Sequence, residues 1–131
     1  MATKEQTEQT KEIETTNYDI TELHIGDKSL RKLPDDLEKY TNLKILYCFD
    51  NQLYHVNVAN LLTLEEFVCS ENQIEILDKG NLPPNLKILD CSNNNITKLD
   101  NLPESLIQLD CYKNKLTQLD NLPPNLVELY C

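Results

Sequence analysis

The sequence predicts a repeat solenoid, and three observations predict it. Residues 82–101 read LPPNLKILDCSNNNITKLDN, residues 102–121 read LPESLIQLDCYKNKLTQLDN, and LPPNLVELYC follows. Leu86, Leu106 and Leu126 therefore recur with a period of 20 residues, a spacing that marks stacked supersecondary units. Looser copies precede these: Leu64, Phe67, Cys69, Asn72 and Ile74, and before them Leu43, Leu46, Cys48, Asn51 and Leu53. All five cysteines, Cys48, Cys69, Cys91, Cys111 and Cys131, occupy the same slot of their copies.

Within one copy, Leu86, Leu89, Cys91, Asn94 and Ile96 spell L-x-x-L-x-C-x-x-N-x-I, and Leu106, Leu109, Cys111, Asn114 and Leu116 repeat it. This pattern resembles the leucine-rich repeat. The resemblance implies an α/β-type repeat solenoid with a parallel concave sheet and short helical or extended convex segments. It covers nearly everything from residue 18 to 131, with repeats starting near 20, 43, 64, 86 and 106 and a truncated sixth from 126. The LPPNL segments Leu82 to Leu86, Leu102 to Leu106 and Leu122 to Leu126 look most like the 20-residue repeats of secreted bacterial effectors, and of related proteins in amoebae and giant viruses. Effector relatives often carry a ubiquitin-ligase domain after their repeats, and no such domain follows within these 131 residues. Asp100 and Asp120 stand where those effectors commonly have proline.

Residues 1–17 hold Thr, Lys, Glu and Gln with one strong hydrophobe, Ile13. Such a composition cannot offset the entropy of ordering, so a disordered polar tail is expected. The alternative is a short amphipathic helix covering the first repeat. That repeat, Ile20, Leu23, Ile25, Lys28 and Leu30, has lysine in the asparagine slot. Lysine accepts no hydrogen bond, so this copy should be looser or bent differently. Leu33, Leu37, Tyr40 and Leu43 follow at helical spacing after Pro34, Asp35 and Asp36, which predicts one or two convex helical turns. VNVANLLTL in the second repeat is helix-compatible too. In the third, Gly80 with Pro83 and Pro84 predicts an extended outer face, and the two residues beyond a 20-residue copy fit a small bulge at Lys79 and Gly80.

Composition narrows the function classes. Twelve basic against 22 acidic residues leave a formal charge of −10, which opposes nucleic acid and acidic lipid and favours basic proteins as partners. No apolar run approaches the roughly 18 residues of a membrane span, and the N-terminus lacks the apolar core of a secretory signal. An intracellular, cytoplasmic location is expected, or the host cytoplasm if the chain is viral or effector-like. The cysteine column predicts buried packing, without the C-x-x-C pairs of a zinc site or a disulfide framework. No cofactor and no metal is expected.

Side chains between the inward positions should face the concave surface. There Ile45, Tyr47, Phe49 and Val68 adjoin Glu66, Glu71, Asp90 and Asp110, with Tyr112 further on. Exposed aromatics ringed by charge are the usual mark of a binding hot spot; good strand-forming propensity is the plainer explanation of the same residues. His24 and His55 have no nucleophile beside them, so no enzyme activity is expected. The expected function is a protein–protein interaction scaffold that binds a protein or peptide with basic residues. A substrate-recognition or targeting subunit for a ubiquitin ligase acting in trans is the alternative that the resemblance implies. Leu126, Leu129 and Cys131 should leave an apolar edge strand, so either the chain is part of a longer one or this edge pairs weakly with a second copy.

Overall fold

The structure, a computed structural model, describes residues 16–131. Six three-residue strands form one parallel sheet in chain order: β1 Glu22–His24, β2 Ile45–Tyr47, β3 Glu66–Val68, β4 Ile88–Asp90, β5 Gln108–Asp110 and β6 Glu128–Tyr130. The expectation for residues 1–17 falls, save Thr16 and Asn17, outside the described residues.

Each strand is short because only its middle residue has an apolar layer to enter. Leu46, Phe67, Leu89 and Leu109 are fully buried, and so are Leu43, Leu64, Leu86 and Leu106 one turn earlier. Cys48, Cys69, Cys91 and Cys111 form the next buried column as free thiols. Burying a leucine stabilises by roughly 1.5–3 kcal/mol, and here each does so against copies of itself in neighbouring repeats. The outermost strands are less covered: Leu23 is half-buried and β6 is exposed throughout.

The asparagine column joins the repeats. Asn94 Nδ2 donates to Cys69 O and Cys91 O at 3.0 and 3.1 Å, while its Oδ1 accepts from Ile74 N at 3.0 Å. Asn51, Asn72 and Asn114 bond the same way. Each asparagine thus holds the turn of the preceding repeat as well as its own. Lys28 offers no such bond, and the first turn is held instead by Asn51 of the next repeat. Asp27 has the left-handed φ of 54° found also at Asp50, Glu71, Asn93 and Lys113; a second left-handed residue, Ser29, is where the first copy bends differently.

The convex side carries less helix than the sequence suggested. Leu37–Lys39 is a single 3-10 turn, and VNVANLLTL is not helical. Val56 and Val58 are both buried while His55 and Asn57 are exposed, the alternation of an extended segment. Val58 N donates to Asn81 O of the next repeat at 2.8 Å, and Asn57 Oδ1 accepts from Ala59 N. Those contacts across repeats outweigh a weak local helix preference. Residues 78–81 form the small turn anticipated at Lys79 and Gly80, with Asp78 Oδ1 accepting from Gly80 N at 2.8 Å. A second polar column runs along this side: Thr63 and Ser105 donate to the backbone oxygens of Leu43 and Leu86 in the preceding repeats.

Candidate functional site

The sheet exposes one face, and the register decides what it displays. Ile45 pairs with Glu66, Tyr47 with Val68, Val68 with Asp90, and Asp90 with Asp110. All six of these side chains are half-buried, as expected for a row that points away from the core but touches its neighbours. The middle row therefore reads His24, Tyr47, Val68, Asp90, Asp110 and Tyr130 across the strands. Phe49 and Tyr112 stand at one margin, exposed by 42% and 53%. Glu71 lies on that margin in a left-handed turn.

The end formed by β1 to β3 is aromatic. His24 and Tyr47 meet edge to face with ring centroids 4.7 Å apart. Glu22 Oε1 lies 3.5 Å from His24 Nε2, and Tyr47 OH donates to Glu66 Oε1 at 3.4 Å. Burial, and then the Glu66 carboxylate, push the Tyr47 hydroxyl above its ordinary range. The Phe49 ring lies over Gly26, where an added Cβ would sit 2.9 Å from Cζ. Only a residue without a side chain leaves room for that ring. His24, Glu22 and Gly26 extend the site beyond the residues singled out in the sequence. Their signal was their place in the same columns, weakened by the degenerate first repeat.

The β4–β5 end is acidic and its carboxylates are oriented. Asp90 Oδ1 accepts from Ser92 Oγ at 2.7 Å and from Ser92 N at 3.1 Å, and Asp110 Oδ1 accepts from Tyr112 N at 3.1 Å. Both belong to adjacent strands, roughly 4.8 Å apart. Like charges directly opposite repel. Among the described residues the ion pairs are His24–Glu22, Lys32–Asp35, Lys87–Glu65 and Lys98–Asp100, none of which reaches this pair. Across all six strands the face bears Glu22, Glu66, Asp90, Asp110 and Glu128 and no lysine or arginine.

The buried thiols are unreactive by position. Burial pushes Cys48 up to about 12 and Cys111 to about 11, and Cys69 and Cys91 well above the ordinary thiol value. Among the described residues no group of three or more His, Cys, Asp or Glu side chains could hold a metal ion, and no helix is long and apolar enough to cross a membrane.

Comparison with known proteins agrees with this architecture. A family model described as leucine-rich repeats in two copies matches residues 84–124. The structure superposes on a Shigella effector leucine-rich repeat domain with a TM-score of 0.70 and 28% identity, covering 92% of this chain and 51% of that one. The chain has the leucine-rich repeat fold. This leucine-rich repeat chain also resembles YopM from Yersinia enterocolitica, with a TM-score of 0.53 and 27% identity over 84% of its length and 33% of YopM. Adenylate cyclase of Neurospora crassa is 33% identical over 82 residues, which is 60% of this chain and 4% of that enzyme. The chain thus spans about half of the Shigella domain, a third of YopM and a small fraction of the cyclase.

Proposed function

We propose that this leucine-rich repeat protein is a non-catalytic docking module whose concave face binds a protein or peptide carrying basic residues beside an apolar anchor. The observation that carries the reading is the face itself: five carboxylates on six strands, no lysine or arginine among them, and an aromatic end formed by His24, Tyr47 and Phe49. A monomer at rest gains nothing from placing Asp90 against Asp110, whereas a cationic ligand relieves their repulsion. The same field disfavours nucleic acid and anionic membrane as partners. Its place of action is the cytoplasm, or that of a host cell.

A second reading rests on the likeness to the Shigella effector domain, of which this chain covers 51%. In it the repeats are the substrate-recognition arm of an enzyme acting in trans, such as a ubiquitin ligase. Exposed Val127, just before β6, and Leu129 and Tyr130 on it suit a weak pairing with a second copy.

The test is capture of partners from lysate by the wild-type chain, by Tyr47→Ala/Phe49→Ala and by Asp90→Asn/Asp110→Asn, followed by binding of each purified partner over a range of salt. Asn in place of Asp keeps the oxygen that accepts from Ser92 or Tyr112 and removes only charge. A partner retained by the wild type, lost by both double variants and weakened by salt supports the reading. Equal capture by all three refutes it.

A further inference from the structure

The chemistry of the concave face changes most across the strands. Within β4 it is mixed, Ile88 beside Asp90, whereas the middle row passes from His24 and Tyr47 through Val68 to Asp90 and Asp110, with Tyr130 beyond them. A ligand that reads this gradient must lie across the strands. We infer that the ligand is an extended segment crossing the sheet, with an apolar residue over β2 and β3 and a Lys or Arg four positions away over β4 and β5.

The spacing follows from two repeats of length. Adjacent strands are roughly 4.8 Å apart, so the midpoint between Asp90 and Asp110 lies about 12 Å from Tyr47. An extended chain advances about 3.3 Å per residue and returns a side chain to the same side every second residue. Positions i and i+4 are then about 13 Å apart and face the sheet together. A helix rises about 1.5 Å per residue and would need a spacing of seven or eight. It would also lay its intermediate turn on the floor between the two ends, where the Glu66 carboxylate lies beside Val68 and Ile88. An extended chain places only residue i+2 there.

Orientation of the carboxylates fits a single basic side chain. Asp90 and Asp110 each turn Oδ1 toward the backbone of their own turn, which leaves both Oδ2 atoms to one guanidinium or ammonium group between them. This inference rests on the docking function proposed above and adds the conformation and spacing of what is docked.

It is tested by selecting a displayed library of random 12-residue peptides on the immobilised protein, in parallel with Tyr47→Ala/Phe49→Ala and Asp90→Asn/Asp110→Asn. Circular dichroism confirms that both variants remain folded. The expected result is enrichment of an apolar residue and a Lys or Arg at a separation of four. The first variant should lose the preference for the apolar residue and the second the preference for the basic one. In the enriched peptide, moving the basic residue by one position should weaken binding about tenfold, since the contacts with both half-buried carboxylates are lost together. Enrichment of the same two residue types at seven or eight, or at no fixed separation, overturns the extended geometry and leaves the docking function standing. Peptides indifferent to both variants, or no enrichment, overturn both.

Discussion

Replacing Asn94 by Ala should destabilise the protein by about 3–5 kcal/mol, because one side chain closes two turns at once. Its amide accepts from Ile74 N and donates to the carbonyls of Cys69 and Cys91, all of them buried and belonging to two repeats. Alanine leaves the Ile74 amide without a partner and removes one of the two side-chain bonds at each carbonyl, which keep the amides of Asn72 and Asn114. The stranded buried amide costs about 1–3 kcal/mol, and each of the two bonds lost at the carbonyls about 0.5–1.5 kcal/mol. The loss sits in a central repeat, where both neighbouring interfaces feel it. Urea unfolding followed by circular dichroism should show a midpoint lower by about 2 M at a typical slope of about 2 kcal/mol per M. Asn95→Ala is the control: that side chain is half-buried and makes none of these bonds, so its change should stay within about 0.5 kcal/mol. A loss below about 1 kcal/mol for Asn94→Ala, or equal losses for both variants, would refute the idea that the asparagine column ties the repeats together.

Stability should fall at alkaline pH. Folded thiols at about 12 for Cys48 and about 11 for Cys111 lie above the unfolded value of 9.0, so their contribution is complete below pH 9 and is lost as pH rises toward 11 and 12. The slope is about 1.4 kcal/mol per pH unit for each buried thiol, and equilibrium unfolding at pH 8, 9 and 10 measures it; a flat profile would contradict the packing of the column. Native protein treated with an aromatic disulfide reagent should yield one fast equivalent, from exposed Cys131, with Cys48, Cys69, Cys91 and Cys111 reacting only on unfolding. Lys113→Asn should stabilise by about 0.5–1 kcal/mol, because φ is 55° there and asparagine tolerates the left-handed region better than lysine; no change in melting temperature would argue against strain at that turn. Gly26→Ala should displace the Phe49 ring without unfolding the protein, seen as lower affinity for any ligand that depends on Phe49.

Where the pattern repeats, the sequence by itself determined the fold. Leu86, Leu89, Cys91 and Asn94 recur at fixed spacing, and identical units can bury their apolar sides only by stacking in register, so the parallel sheet and its inward columns were legible. From those columns the pairing of Tyr47 with Val68 and of Asp90 with Asp110 was legible as well. Tertiary structure decided whatever depends on a neighbour rather than on the period. VNVANLLTL starts extended and continues in turns because Val58 bonds Asn81 of the next repeat, and Lys28 is tolerated because Asn51, 23 residues later, serves its turn. His24 joins the aromatic end, and Gly26 makes room for Phe49, through contacts between repeats that no single copy encodes. Periodicity specifies which way a side chain points; what it meets there is set by the adjacent copy, whose residue in the same column is free to differ.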